Sequence, residues 1–461
     1  MTRGEPGVAF ARRPRAALKV ATTFITLVLL IADPSRQPVV SAGDQEGPAS
    51  LKLEDLERMA VEGNPTLGQA EAAIRAAEGR RVQAGLWPNP VIGYAGNEFA
   101  FRAFGDKSEH MGFIEQTIPL GGKLGKSREV FAREKIRSEQ EAAAQKQRIL
   151  NGVRILFYRA LGAQQLIAVR GQLVNLAREA VKVTGELYNV GQADRPDVAQ
   201  IKIEAERAEL DLIMAENEDQ RIWQELAAVV GNPFLKPARL IGELEKGWPV
   251  LDREFLLNQL LTESPEIKRA RAGVERAKAA VLRAKAENQP DLFVRGGFGY
   301  SRELLERDLA LNRRTGPEAQ VEIGMRIPIF NRNQGGIATA GAELDMAERE
   351  AQRVELMLRA QFSSSFVTYL NARRVATQYE KQIVPAAQQA YDTYLRNFRG
   401  MAAAYPQVLI AQRTLFQVRA EYVAALVDTW QTSILLRGYL LTGALEAPDG
   451  GNRANLESFE K

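Results

Sequence analysis

The residues that could carry catalytic or metal-binding chemistry are few in this sequence. It contains no Cys and a single His, His110. Disulfides, thiolate nucleophiles and Cys-based metal sites are therefore excluded, and Ser/His triads or His-pair zinc sites have almost no residues to draw on. A site built from carboxylates alone remains possible. No catalytic constellation can be assembled from these residues, so we predict a protein that is not an enzyme and has neither a cofactor nor a metal site.

One short motif resembles a nucleotide-binding loop. The stretch Gly121–Ser127 reads GGKLGKS, follows a predicted strand, precedes a predicted helix and ends in the GKS of a P-loop. A P-loop also requires a Gly five positions before the Gly of GK, and that position is Leu120. A sharp turn from strand to helix explains the glycines more simply. We therefore expect no nucleotide site here.

The charge of the chain is concentrated in its first 42 residues. These hold six of the 61 basic and two of the 57 acidic residues, which accounts for the whole formal charge of +4. Since the remainder is neutral, nothing favours nucleic acid as a partner. A basic segment, an apolar run and a small-residue site between Ala42 and Gly43 predict a signal peptide at 1–42 and export of the mature chain. The alternative is an N-terminal membrane anchor, but the apolar run is too short to span a bilayer.

The elements that must position any functional residue are long helices. In Val198–Val229 apolar residues recur at alternating spacings of three and four, and the same phase returns 210 residues later in Val408–Tyr439. Pro196 and Pro406 lie two residues upstream of the two stretches. Such seams need partner helices, and their recurrence indicates a tandem duplication. The predicted parts are a first structural repeat at 43–250, a second structural repeat at 251–445 and a polar tail at 446–461.

Each repeat is predicted to contain short helices, two strands and two long helices. The strands span about 91–101, 110–118, 291–300 and 319–328, and the long helices span about 122–189, 196–230, 334–398 and 406–441. The first long helix has no Pro, measures about 100 Å at 1.5 Å per residue and carries two apolar seams. It therefore needs neighbours on both flanks, as in a closed ring of helices. Pro385 should kink the corresponding helix of the second repeat.

The predicted strands have one apolar face and one charged or bare face. Val294 and Ile323 lie on the apolar face of the second repeat, whereas Arg295, Glu322 and Arg326 lie on the other. Each strand has about ten residues, enough to cross a bilayer when tilted. The alternative is a small soluble hairpin packed on the helices. In a membrane the charged residues would face a lumen, and since four strands cannot close a barrel, the chain would have to oligomerise.

Four short motifs stand at the ends of the predicted strands and helices: AGLWPNP (84–90), TIPLGGK (117–123), YNVGQ (188–192) and IPIFNRNQG (327–335). With the duplicated halves, they resemble the TolC-type outer-membrane efflux family and are most similar to its heavy-metal branch. The resemblance implies a mainly α fold with a small β part, in which a homotrimer forms a twelve-helix periplasmic tunnel and a twelve-stranded barrel in outer-membrane lipid. It also implies a periplasmic adaptor protein and an inner-membrane RND transporter as partners of a passive exit duct.

The resemblance further assigns roles to the turns that join the long helices. Asn189, Val190 and Gly191 in the first repeat, and Arg399, Gly400 and Met401 in the second, correspond to the periplasmic tip that contacts the adaptor. Nearby candidates for narrowing the tip aperture are Asp194, Arg195 and Asp197; the alternative is that these charges are merely solvated.

The function expected from the resemblance is outer-membrane export of divalent heavy-metal cations. Two alternatives stay open: an exit duct for multidrug efflux or type I secretion, and a periplasmic coiled-coil protein with a structural role and no pore. The sequence has no line of Met, His and Cys that would mark soft-metal ligands, so the metal cargo is implied by the resemblance alone.

Overall fold

The computed structural model describes residues 50–97, 109–301, 316–400 and 405–448. All of them belong to one compact unit that begins at Gly47. The predicted cleavage site between Ala42 and Gly43, the tip residue Met401 and most of the polar tail lie outside the described residues. Within the described ranges, no helix is both long enough and apolar enough to cross a membrane.

Nine α-helices account for most of the described residues. They are α1 (Leu53–Gly63), α2 (Pro65–Gln83), α3 (Lys123–Asn189), α4 (Arg195–Val230), α5 (Arg253–Glu263), α6 (Pro265–Ala286), α7 (Gln334–Gln378), α8 (Val384–Arg399) and α9 (Tyr405–Arg437). Helix α2 begins with Pro65, and the Asn64 side chain accepts a hydrogen bond from the Thr66 N–H at 2.9 Å. Helix α6 also begins with Pro. Pro suits this position because its missing N–H would have no partner in the first turn.

Helix α3 connects the two repeats. It has 67 residues, about 100 Å of helix. It packs on α2 and α4 of its own repeat and on α6 and α9 of the second. Buried Glu141 of α3 forms an ion pair with Arg269 of α6 at 2.9 Å. A core around Phe157, Trp223 and Leu426 joins α3 to α4 and α9.

The helix predicted over 334–398 is interrupted. A single π-helical turn, Tyr379–Ile383, separates α7 from α8. Pro385 follows at once, and it lacks the N–H that would bond to the carbonyl of Lys381. A π-helical turn adds one residue to the helical ladder, and we attribute it to the accommodation of this Pro.

The helix predicted over 406–441 ends earlier, at Arg437. Tyr439 and Leu440 have positive φ angles of 58° and 61° and leave the helical path. The buried Asn151 of α3 donates hydrogen bonds of 2.8 Å to the carbonyls of Gly438 and Leu441. The prediction that Tyr439 continues the apolar seam of this helix is therefore wrong: the chain leaves the helix at Gly438, and Asn151, 287 or more residues away, binds the carbonyls at this end.

Four strands form an antiparallel sheet in the order β2-β3-β5-β6. They are β2 (Val91–Asn97), β3 (Glu109–Pro119), β5 (Asp291–Ser301) and β6 (Pro317–Arg326). Strand β6 begins and ends two residues before its predicted bounds, and the last residues predicted for β2 lie outside the described ranges. A separate parallel pair joins β1 (Ser50–Leu51) to β4 (Arg239–Leu240). The repeats meet where β3 pairs with β5.

Candidate functional site

One face of the four-stranded sheet is apolar and exposed. Ile92 is 79% exposed, Val321 73% and Phe298 69%, and Ile323 and Tyr94 are also mostly exposed. Alternation along paired strands places all these side chains on the same face. A contiguous apolar surface of this kind marks contact with lipid or with another protein rather than with water.

The opposite face carries a row of charges across three strands. Arg295 on β5 lies opposite Glu115 on β3 and Glu322 on β6. Its guanidinium is 2.6 Å from the Glu115 carboxylate and 3.6 Å from that of Glu322. It also lies 4.6 Å from the centroid of the Phe113 ring, a cation–π contact. Arg295 is thus held between two acids and an aromatic ring.

The alternation in the sequence predicts Arg295 and Glu322 on this face; Glu115 and Phe113 lie here as well and were not predicted. Alternation in the first repeat could have found them, since Phe113 and Glu115 share a face of β3. The third candidate, Arg326, lies at the end of β6 opposite Asp291. It lines a cleft on the charged face together with Glu115, Arg295 and Glu322. On this face the Phe293 ring lies over Gly324, where an added Cβ would be 2.1 Å from a ring atom.

An ion pair joins the two repeats below the sheet, that is, at the end of the sheet where α3 begins. The Lys123 ammonium, at the start of α3, is 2.8 Å from the Asp291 carboxylate and 3.8 Å from that of Glu287. The backbone N–H of Leu120 donates to the same Asp291 carboxylate at 3.3 Å. The Lys123 side chain is only 11% exposed, whereas Asp291 and Glu287 are 36% and 43% exposed, so the ammonium is shielded from solvent and the two carboxylates remain partly hydrated.

The turn between α3 and α4 is exposed and capped by its own charges. The backbone N–H of Asp194 donates to the Asp197 carboxylate at 2.9 Å, so Asp197 helps to start α4. Arg195 donates to the Tyr188 hydroxyl at 3.2 Å. Gly191 has a φ of 76°, which suits a tight turn. Asn189 ends α3, and Val190 is 69% exposed.

The second long-helix turn is described up to Gly400 and again from Tyr405. Arg399 ends α8, and the Gly400 N–H donates to the carbonyl of Arg396 at 3.0 Å. Phe398 contacts Tyr405 across the turn, with ring centroids 5.1 Å apart.

The single histidine lies on the apolar face of the sheet. The Tyr94 hydroxyl is hydrogen-bonded to Nδ1 of His110 between β2 and β3. Within the residues that the structure describes, no three His, Cys, Asp or Glu side chains are grouped so that they could hold a metal ion.

Two stretches of the chain, one in each repeat, match a single family model, described as outer membrane efflux protein, over residues 56–232 and 256–440. The chain belongs to the outer membrane efflux protein family. The resemblance drawn from its motifs is confirmed, as is the fold class. Members of this family are channels, not enzymes, and they lie in the outer membrane with a periplasmic helical extension.

The efflux-protein relatives extend over nearly the whole chain. The cobalt-zinc-cadmium resistance protein CzcC of Cupriavidus metallidurans is 28% identical over 430 residues, covering 92% of this chain and 98% of the relative. The pyoverdine export outer membrane protein OpmQ of Pseudomonas putida is 22% identical, covering 84% and 85%. The solved structure of the outer membrane protein VceC from Vibrio cholerae has a TM-score of 0.68 at 19% identity, covering 86% of this chain and 97% of that one.

Proposed function

We propose that three copies of this efflux protein form a passive exit duct for a tripartite pump, with divalent heavy-metal cations as cargo. The observation that supports the duct is the two-faced sheet, in which β2 and β6 have no outer strand neighbour among the described residues. An open edge in lipid leaves backbone N–H and C=O groups without partners. Pairing β6 of one copy with β2 of the next removes both edges, and three copies supply twelve strands.

The repeat structure supports the same arrangement for the helices. Inside one copy, α6 and α9 of the second repeat pack on α3 of the first. By the same rule, α2 and α4 would pack on α7 of a neighbouring copy. Both partners of that contact expose apolar stripes at helical spacing, namely Ile203, Leu210 and Ile213 on α4 and Met346, Leu356 and Val367 on α7. Closing the ring covers these stripes and gives twelve tunnel helices.

In this duct the apolar face of the sheet contacts lipid and the charged face lines the lumen. Arg295, Glu322 and Arg326 then border the path of the cargo, together with Glu115. Arg295 is already paired with Glu115 and Glu322, which favours passage over tight binding. Cargo therefore crosses the membrane without a chemical step.

The proposed partners are assigned to the turns between the long helices, which form the periplasmic tip. We assign contact with a periplasmic adaptor to Asn189, Val190 and Gly191 and to the second turn at Arg399, Gly400 and Met401, with an inner-membrane RND transporter behind the adaptor. Asp194, Arg195 and Asp197 are the aperture candidates. Replacing Asp194 and Arg195 with Ala should raise the conductance of the isolated trimer. Unchanged conductance at low and high salt would show that these charges are only solvated.

Metal as cargo is supported by the similarity to CzcC, whose name states cobalt, zinc and cadmium resistance. The similarity to OpmQ, a pyoverdine export protein, favours export of a larger organic molecule as the second candidate. Growth of a deletion strain on cobalt, zinc or cadmium distinguishes the two cargoes, and reduced growth is the result expected for metal export. Normal metal tolerance with new sensitivity to drugs would exclude the metal assignment.

The duct itself is tested on protein extracted from outer membranes in detergent. A trimer that conducts ions in a planar bilayer is the expected result. A soluble periplasmic monomer would refute the duct and favour a coiled-coil protein with a structural role.

A further inference from the structure

We propose that neighbouring copies are joined below the sheet by an apolar contact, in which Ile329 and Phe330 of one copy pack on Trp87 and Val91 of the next. This inference rests on the trimer proposed above. It takes the described joint between the two repeats as the template for the joint between copies.

In the first part of the second repeat, each residue lies 200 positions after its equivalent in the first repeat. Helices α2 and α6 both begin at a Pro, Pro65 and Pro265. Strands β2 and β5 begin at Val91 and Asp291. Because the helix start and the strand start give the same separation, Trp87 and Val91 are equivalent to Glu287 and Asp291.

In the second part of the second repeat, each residue lies 211 positions after its equivalent in the first repeat. Val91 lies opposite Glu115 in the first hairpin, as Asp291 lies opposite Arg326 in the second. The residues that precede α3 and α7 are Gly122 and Asn333, which gives the same separation. Pro119 and Lys123 are therefore equivalent to Phe330 and Gln334.

The joint inside the chain is ionic. Strand β3 pairs with β5 as far as Pro119 opposite Asp291, and Lys123 binds Asp291 and Glu287. Leu120 adds its backbone hydrogen bond to Asp291. All the charges of this joint have partners within the chain.

The equivalent positions between copies carry no charge. Val91, Trp87 and Gln334 stand where the internal joint has Asp291, Glu287 and Lys123. The segment 327–330 follows β6 and has no strand partner in the part of the chain that the structure describes. The side chains that would meet are exposed. Phe330 is 93% exposed, Trp87 61%, Ile329 60% and Val91 56%. Such side chains gain most from burial against one another.

The two halves of this contact cannot meet within one copy. Trp87 and Val91 belong to the β2 edge, whereas Ile329 and Phe330 follow the β6 edge. Two strands lie between these edges, a separation of about 14 Å at the usual spacing between strands. A ring of copies brings the edges together. The occupant is therefore a second copy, and lipid is the alternative that the experiment must distinguish.

The absence of Cys makes the joint directly testable by cross-linking. The test variant carries Val91→Cys and Phe330→Cys in one chain. Mild oxidation of the purified protein should give covalent dimers and trimers on non-reducing gels. Each single Cys variant should stay monomeric on the gel while still purifying as a trimer, which also shows that it folds. The matched control is Pro119→Cys with Asp291→Cys, the equivalent pair inside the chain, whose Cα atoms are strand partners and which should form a bridge without changing the chain count.

The outcomes separate this joint from the proposed function. Cross-linked trimers support the joint. A trimer by mass in which the control pair bridges but V91C/F330C does not would overturn the joint and leave the duct standing. Quenching of Trp fluorescence by brominated lipid that Trp87→Phe abolishes would then assign this surface to lipid, since the chain has four Trp residues. Dimers formed by either single Cys variant would indicate a two-fold contact and refute the ring. Absence of any trimer from every variant and from the unmodified protein would refute the proposed function itself.

A second measurement concerns the energy of the contact. Phe330→Ala should lower the temperature at which the trimer dissociates in detergent, and the loss should be the same at low and high salt because the contact is apolar. Phe234 is similarly exposed, at 90%, but lies between α4 and β4, away from the proposed joint. Phe234→Ala should leave the dissociation temperature unchanged; an equal fall for both variants would contradict the joint.

Discussion

The buried side chain of Asn151 should control where α9 ends and how firmly the following segment is held. Its amide group donates to the carbonyls of Gly438 and Leu441, both at 2.8 Å, and its oxygen accepts from the Gln147 side chain at 2.9 Å. Asn151 itself is fully buried. Asn151→Ala would leave both carbonyls without their donor.

The cost follows from the number of bonds. Each hydrogen bond contributes about 1 kcal/mol net, and a carbonyl left buried without a donor costs about 1–3 kcal/mol. Since water can reach part of the space that the side chain vacates, we expect a total of roughly 2–4 kcal/mol for the two carbonyls. If this energy appears as local opening, the opening constant of residues 434–446 rises roughly 30- to 900-fold.

Hydrogen exchange of residues 434–446 in the purified trimer measures that opening. Gln147→Ala is the matched control, because it removes the bond to the Asn151 oxygen and keeps both carbonyl bonds. A second check uses Gly438, where an added Cβ would lie 2.1 Å from Asn151 Oδ1. Gly438→Ala should loosen the segment in the unmodified chain but much less in the Asn151→Ala background. Unchanged exchange in Asn151→Ala would refute the view that this side chain fixes the end of α9.

Three further predictions concern charged residues. Burial raises the pKa of the Asp219 carboxyl, so the folded chain favours its protonated form and loses stability as pH rises through that pKa; Asp219→Asn should raise the melting temperature at pH 7, and a gain that persists below about pH 3.9, the ordinary pKa of Asp, would contradict this. Arg295→Gln removes the cation beside Glu115 and should increase the cation preference of single-channel currents at 0.1 M salt, less so at 1 M; equal effects at both would exclude an electrostatic cause. Lys123→Met removes the ammonium partner of Asp291, which is 36% exposed, and should destabilise the protein by about 1 kcal/mol in thermal unfolding; no change would show that water replaces the ammonium.

Much of the helical architecture can be predicted from patterns of neighbouring residues along the chain. The 67 residues of α3 contain no Pro, and apolar residues at spacings of three and four recur along α4 and α9. Both features depend only on neighbours along the chain, so the sequence is enough to predict them. The alternation of β5 and β6 is equally local and predicted which side of the sheet carries Arg295.

The details that the sequence did not give depend on distant residues. Gly438 directly after Arg437 is a local stop signal for α9, but the Asn151 side chain that binds the carbonyls at this end lies almost 300 positions away. Glu115 pairs with Arg295 only because β3 and β5 are neighbours, a fact of topology rather than of pattern. At the α3–α4 turn, Asp197 reads as a free charge, but its carboxylate accepts a backbone N–H.

Because the two repeats are similar, each repeat could pack beside the wrong neighbour when the ring assembles. The difference between the ionic and the apolar joint can prevent this. In a ring of six similar repeats, an internal joint and an external joint compete for the same backbone geometry. If α3 docked instead on the first part of a neighbouring copy, Lys123 would meet Trp87 and Val91 in place of Glu287 and Asp291. Its ammonium, 11% exposed in the correct joint, would lose both acidic partners. A mismatch of this kind adds a penalty against the wrong neighbour to the apolar contact that favours the right one. Ionic joints within copies and apolar joints between them would therefore keep the repeats in strict alternation around the ring.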